Sequence, residues 1–349
     1  MNPLVRTLWR GAPDNLQPFK EVTLEVRTES EFGGDHDIFF NRGAAASQEY
    51  ARRFDNVPPN PANPLDPRWA WLSRHVMEAI VAFTSRALDS RWGLRVAAYE
   101  FRLPRFAQAL REAHLRGADV KVLYDANDNP PDEHGRVFPR DDNRATVAAA
   151  KIKGLRSERI TRNDVKQPPI AHHKFIVLLK DGVAQAVLTG STNFSLGGVF
   201  GQSNVVHCVD DPQVAGAYLD CWTLIAGNPD HGDLREALSQ RHAVPTDLPP
   251  PGTSVLFSPR QTTEALQWYA TRAKAAPRAL FMTFAFGMSA LFQEAYRDGA
   301  APLRYALLDK LIASGIPKFR FLDAASQWWR SYFGDTDRSR QRRYFSGGN

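Results

Sequence analysis

Cysteine is scarce in this 349-residue chain: Cys208 and Cys221 are the two present, too few for a disulfide framework. That points to a reducing compartment or to a fold indifferent to its thiols. No apolar run reaches the length of about 18 residues that a membrane-spanning helix needs. The opening residues, MNPLVRTLWRGAPDNLQPF, contain no apolar stretch of signal-peptide length. The chain therefore reads as soluble and cytosolic, without a transmembrane segment. Carboxylates are few around the histidine-rich stretch near residue 172, which argues against a two-metal nuclease. His172, His173, His207 and Cys208 lack the close-spaced ligand pairs of a zinc site, so no metal or cofactor is expected.

What is present is an ordinary globular composition, 43% hydrophobic, with 24 prolines gathered in loops and a net charge of +6. A basic balance suits an anionic partner such as nucleic acid or phospholipid head groups. Part of the excess lies in the tail: from Leu311 onward there are seven Lys or Arg against three Asp. The RSRQRR run around Arg338 reads as a solvated tail.

Residues 1–35 alternate weakly and suit a strand or two in an N-terminal extension. HDIFFNRG from His36 is a short buried strand, followed by the loop VPPNPANPLDP. One long helix is expected from Trp69 to Leu88, with Leu72, Val76, Ala79, Ile80 and Phe83 on its apolar face. LRVAAYEF, then PRFAQALREAHLRG, then DVKVLYD read as strand, helix, strand. Pro opens that helix and Gly117 follows its end. This rhythm predicts a parallel, right-handed α/β arrangement. Residues 126–163 are polar and irregular, with helical character near Ala145–Lys151. SNVVHCVDD is a further strand and PQVAGAYLDCWTLIAG a helix, whose Tyr218, Trp222 and Leu224 form its buried stripe.

After a proline-rich linker at 244–252 the rhythm restarts. SVLFSP from Ser254 reads as a strand, TTEALQWYATRAKAA as a helix, RALFMTFAFG as a strand, MSALFQEAYRDGA as a helix and PLRYALLDK as a strand. LREAHLRGADVKVLYD closes one block and FQEAYRDGAAPLRYALLD the other. An internal duplication follows, with blocks beginning near His36 and Thr253. The division is then 36–243 for a first lobe, 253–310 for a partial second lobe, and 311–349 for a basic aromatic tail.

The segment AHHKFIVLLKDGVAQAVLTGSTNFS, Ala171 to Ser195, stands apart. Asp181-Gly182 marks a tight turn between two apolar strands. Pairing about it brings Lys174 near Gly190, so that His172, Lys174, Ser191 and Asn193 share one edge of a sheet. His172 and Lys174, two residues apart, leave the same face of the strand, as do Ser191 and Asn193. That set suits a phosphodiester. An imidazole attacks phosphorus or protonates a leaving oxygen, and an ammonium and a carboxamide hold the non-bridging oxygens. Backbone N–H groups after Gly190 would add anion donors. His173 points to the other face and reads as packed. Gln202 and Asn204 are placed as lining of the same cleft, and His207 and Cys208 as core groups.

At these residues the chain resembles the phospholipase D superfamily, whose motif is His-x-Lys, an Asp after four intervening residues, and Gly-Ser-x-Asn on the returning strand. His172, Lys174, Gly190, Ser191 and Asn193 match. Leu179 stands where the motif has its Asp, and Asp181 in the turn is the nearest acid. The resemblance, from about residue 36 to 310, implies an α/β fold with a β-sheet sandwiched by helices, and two related lobes of which the second is truncated here. It implies a metal-independent phosphodiesterase acting through a phosphohistidine on a phospholipid or nucleic acid. His172 would be nucleophile or general acid, Lys174 and Asn193 would bind phosphate, and Ser191 would support them. The second lobe holds no His-x-Lys. A homodimer or a further C-terminal segment would supply the partner histidine. The alternative is an impaired member that binds phosphate-bearing lipid or nucleic acid without turnover.

Overall fold

The computed structural model describes residues 2–12, 15–26, 35–42, 47–60, 63–127, 129–157, 171–246, 253–284 and 287–308. The basic tail and most of the proline-rich linker lie outside these. The chain divides into two compact units, Glu29–Gln261, and Met1–Thr28 together with Thr262–Asn349.

The larger unit opens with strand β3 (His36–Phe40) and helix α1 (Ser47–Phe54); the strands before it, β1 (Asn2–Ala12) and β2 (Asn15–Val26), pair antiparallel in the smaller unit. The expected helix from Trp69 to Leu88 is two helices, α2 (Pro67–Ser73) and α3 (Val76–Ser85). Arg74 and His75 both adopt left-handed backbone, with φ of 45° and 72°. Ser73 accounts for the break: its hydroxyl accepts from the Met77 N–H at 2.7 Å, so a side chain caps a new first turn. At the other end, Asp66 caps α2 by accepting from the Arg68 N–H, and Pro67 fills the first helical position.

Strand β4 (Trp92–Ala98), helix α4 (Pro104–Leu115) and strand β5 (Asp119–Asp125) form a parallel β-α-β unit, Leu94 opposite Val120 and Ala98 opposite Tyr124. Helix α5 (Arg140–Ala150) and strand β6 (Lys153–Ser157) follow; the polar composition of this stretch hid the strand. Strands β7 (Lys174–Lys180) and β8 (Val183–Gly190) make the expected hairpin, and strand β9 (Val205–Val209) closes the set. Lys180 pairs with Val183 across Asp181 and Gly182, whose φ values of 50° and 79° are those of a primed two-residue turn. The seven strands lie in the order β3-β9-β8-β7-β4-β5-β6.

Helices cover both faces. β7 shows why: Phe175, Val177 and Leu179 join one cluster with Val214, Cys221, Trp222 and Ile225 of helix α6 (Pro212–Ala226) and Leu234 and Leu238 of helix α7 (His231–Arg241). Ile176 and Leu178, on the opposite face by strand alternation, are equally buried. α3 lies against β3 and β9, and α4 against β5. The Trp222 indole N–H donates to the Val96 carbonyl at 2.8 Å, tying α6 to the sheet.

The segment from Ser254, expected to be a strand, joins no sheet among the described residues. Its apolar residues are satisfied by side chains instead: Phe257 packs edge-on against Tyr218 and His242, and Val255 joins the α6 cluster. In the smaller unit, helix α8 (Glu264–Ala275), strand β10 (Ala279–Phe284), helix α9 (Ala290–Arg297) and strand β11 (Leu303–Leu308) repeat the β-α-β rhythm. β10 and β11 are parallel, Ala279 opposite Leu303.

Candidate active site

One end of the seven-stranded sheet gathers the polar residues. By register, Ala98 ends β4 opposite Lys174 at the start of β7, Gly190 ends β8 opposite Val206, and Phe40 ends β3 opposite Val205. β4 and β5 both present their carboxyl ends here, the end at which open α/β sheets bind ligands.

His172 and Lys174 meet around Tyr99, the residue after β4. The His172 ring lies edge-on to the Tyr99 ring at 4.7 Å, and the Lys174 Nζ sits 5.5 Å from the same ring. The Lys174 Nζ also donates to the His172 carbonyl at 2.9 Å. Tyr99 is itself fixed, its N–H donating to the His173 carbonyl at 2.8 Å. Burial, then the Lys174 charge, then His173, push the His172 imidazole down to about 4, although part of the residue stays exposed. Lys174 is 8% exposed, and burial pushes it down to about 7 against the opposing pull of Glu100. The imidazole is thus neutral at pH 7 and the ammonium is poised to lose its proton. His173, partly buried against Phe175, is pushed down to about 4, mainly by burial.

Gly190, Ser191 and Asn193 are held by a tightly folded return. Gly190 has φ of +144°, and a Cβ there would lie 2.2 Å from the Val205 carbonyl oxygen, so no other residue fits. Gly198, in the π turn Gly197–Gly201, comes as close to Asn193: a Cβ would stand 2.2 Å from the Asn193 carbonyl oxygen. Phe194 bridges to Phe101 and packs at a tilt against Phe106, ring centroids 4.5 Å apart, which anchors the backbone beside Asn193. The Asn193 Oδ1 is buried and has no hydrogen-bond partner. A half-turn of that amide exchanges the acceptor for two N–H donors.

Ser191 is engaged within the protein. Its hydroxyl donates to the Asn204 Oδ1 at 3.0 Å and accepts from the Val205 N–H at 3.1 Å. Its own N–H donates to the Val205 carbonyl, so the anion donor expected at this backbone position is already spent. Asn204 in turn donates to the Gly198 carbonyl and to the Gln202 Oε1. Asn41 underpins this group, its Nδ2 donating to the carbonyls of Gly198, Val199 and Gln202 and its Oδ1 accepting from the Asn204 N–H. Gln202 and Asn204 therefore adjoin Ser191 and brace its loop. Asp181 is at the far end of the hairpin, a β7 length of seven residues away, roughly 20 Å at the usual strand rise. Leu179 is buried in the apolar core.

Four contributors had no mark in the sequence reading: Tyr99, Asn41, Asp125 and Asn143. Asp125 ends β5 and is fully buried. Its carboxylate accepts from the Asn127 N–H and side-chain Nδ2 and from the Ala171 N–H. A strand ending in Asp followed by a polar loop was the signal available. Asn143 sat within a stretch whose polarity suggested a loop. Among the described residues no group of three or more His, Cys, Asp or Glu side chains is arranged to hold a metal ion, and no helix is long and apolar enough to cross a membrane.

Residues 86–221, from the end of α3 through the hairpin and into α6, match the family model described as cardiolipin synthase, phospholipase D-like domain. Over these residues the chain is similar to phospholipase D-like domains. No curated protein matches it. Among solved structures, Nuc of Salmonella typhimurium, a phospholipase D family member, is 27% identical over 42% of this chain and 84% of its own, with a TM-score of 0.31. NucT of Helicobacter pylori is 16% identical over 45% of this chain and 90% of its own, TM-score 0.35. Phosphatidylserine synthase of Haemophilus influenzae is 13% identical over 74% of this chain and 65% of its own, TM-score 0.44.

Proposed function

We propose that this chain is a metal-independent phosphodiesterase in which His172 is the nucleophile. The observation that carries the reading is the grouping of His172 and a buried Lys174 on Tyr99, at the sheet end where Asn193 has an unpartnered amide oxygen. An imidazole unprotonated at pH 7 suits attack on phosphorus better than proton donation. In the step proposed, a His172 ring nitrogen bonds to phosphorus while the bond to the leaving alkoxide breaks. The alkoxide takes a proton from a second histidine, and water later hydrolyses the phosphohistidine. Lys174 and Asn193 hold the non-bridging oxygens as charge builds on them. Ser191, Gln202 and Asn204 serve by keeping the Asn193 loop in place. The sequence has one His-x-Lys, so a second copy of the chain is the proposed source of the general acid, an imidazole whose pKa the negative charge of the bound phosphodiester raises so that it can carry the proton.

The test is hydrolysis of bis(p-nitrophenyl) phosphate with and without chelator. Turnover is expected to survive chelation and to fall by at least about 10³-fold in His172→Ala. The rate should rise from about pH 4 as His172 loses its proton and decline above about 7 as Lys174 becomes neutral. Turnover that needs a metal, or that survives His172→Ala, sinks the proposal. A phosphate- or DNA-binding protein without turnover would instead mark the impaired member that a buried, half-discharged Lys174 also permits.

A further inference from the structure

We propose that Asp125 and Asn143 are positioning residues that fix the His172 backbone for attack, by closing a ring of hydrogen bonds around it. The proposal rests on the nucleophile role given to His172 above.

The ring can be walked atom by atom. The Ala171 N–H donates to the Asp125 Oδ2 at 2.8 Å. The Asp125 carbonyl accepts from the Asn143 Nδ2 at 2.9 Å, and the same Nδ2 donates to the Tyr99 carbonyl at 2.8 Å. The Tyr99 N–H donates to the His173 carbonyl at 2.8 Å. His172 is the one residue between the two anchored neighbours, Ala171 and His173. The Asn143 Oδ1 meanwhile accepts from the Phe101 N–H at 2.7 Å, so one amide ties together the end of β5 and the two residues flanking Glu100.

Both side chains are fully buried. A carboxylate out of water is strongly destabilising unless its oxygens are filled. Here the Asn127 N–H and Nδ2 and the Ala171 N–H fill them. Such an ion does little for stability that an apolar side chain could not do, so its position beside the nucleophile is the feature needing explanation. The hairpin supplies no acid to this end: Leu179, near the far end of β7, is apolar, and Asp181 is in the distant turn. The carboxylate reaches the His172 loop from a different strand, β5.

Asp125→Asn keeps the shape and removes the charge, so that an N–H donor faces Ala171 or Asn127. With bis(p-nitrophenyl) phosphate, kcat is expected to fall about 10- to 100-fold while KM changes less than about twofold, the signature of a misplaced rather than missing group. The His172 imidazole, followed by ¹H–¹⁵N NMR and assigned by its loss in His172→Ala, should titrate at least about one unit higher as the loop opens to water. Wild-type values of kcat, or of the imidazole midpoint, in a folded Asp125→Asn variant would overturn the proposal. If that variant does not fold, amide exchange in the wild-type protein decides: the Ala171 N–H must be protected to the level of the β7 amides, and free exchange overturns the ring. Absence of wild-type turnover would count against the enzyme reading alone, because the titration and the exchange test the ring without it.

Discussion

β4–α4–β5 and β10–α9–β11 are the same local design in two settings. Each is strand, helix, parallel strand, and each was read from the same strand–helix–strand rhythm. In the first, Leu94, Val96 and Val122 are fully buried and helices lie on both faces of the sheet. In the second, Leu280 and Ala306 face α8 and α9 within a small core, while Phe281 on the other face is 60% exposed and stacks flat on Tyr305 at 5.8 Å. The difference lies in what adjoins the unit. β4 has the hairpin strand β7 on its second edge, whereas among the described residues β10 pairs only with β11, in a two-stranded sheet. Parallel strands normally have both faces covered. The comparison teaches that the hairpin of the candidate site also completes the first core, because β7 carries apolar side chains on both faces and the proposed site residues at its end.

The sharpest break of the comparison is a charge at the centre of β7. Val177 is fully buried among the apolar side chains of the α6 cluster. Val177→Asp is expected to destabilise by at least about 4 kcal/mol, enough to unfold the larger unit. Far-UV circular dichroism should show the loss of that unit's cooperative melt. A native-like melt would mean that β7 is less central than its place in the sheet implies.

Next in size is the lysine of the proposed site. Lys174 is buried and pushed down to about 7, whereas Lys274, joining α8 to Glu294 of α9 at 3.1 Å, is half-exposed. A lysine whose folded pKa lies below its unfolded value destabilises the fold wherever it must carry charge. That destabilisation is complete below about pH 7 and fades as pH rises toward 10.5. Lys174→Met should therefore raise stability by roughly 2–4 kcal/mol at pH 7 while abolishing turnover. The gain should shrink on titration toward pH 10. Lys274→Met should change stability by less than about 1 kcal/mol. Denaturant melts at pH 7 and 9.5 measure both, and a loss of stability in Lys174→Met would show that its bond to the His172 carbonyl outweighs desolvation.

How much of this was legible depended on range. The hairpin and its turn were readable because Asp181-Gly182 and two apolar runs specify each other locally, and His-x-Lys with Gly-Ser-x-Asn sits on their ends. The β-α-β rhythm was readable for the same reason. The break at Ser73 was not, since a serine in an apolar stripe gives no sign that its hydroxyl will cap Met77. The segment from Ser254 alternates like a strand, and only tertiary packing on Tyr218 decides otherwise. Asp125 and Asn143 were hidden because their partners are 46 and 44 residues away, Ala171 for one and Tyr99 for the other. Nothing local distinguishes a buried asparagine from one in a loop. The π turn that seats Asn193 likewise depends on Asn41 from the other end of the unit.

The smallest expected effect lies on the open face of the smaller unit. Phe281 is mostly in water already, so replacing it removes little buried apolar area. What it has is its stack on Tyr305, and an exposed aromatic pair of this kind contributes about 0.5–1 kcal/mol. Phe281→Asp should accordingly shift the free energy of unfolding by less than about 1 kcal/mol, in contrast to the same residue introduced at Val177. The measurement is the denaturant midpoint of the smaller unit's transition, followed by Trp268 fluorescence. A loss of several kcal/mol would mean that this face is covered in solution, and the contrast between a sheet buried on both sides and a sheet open on one would no longer hold.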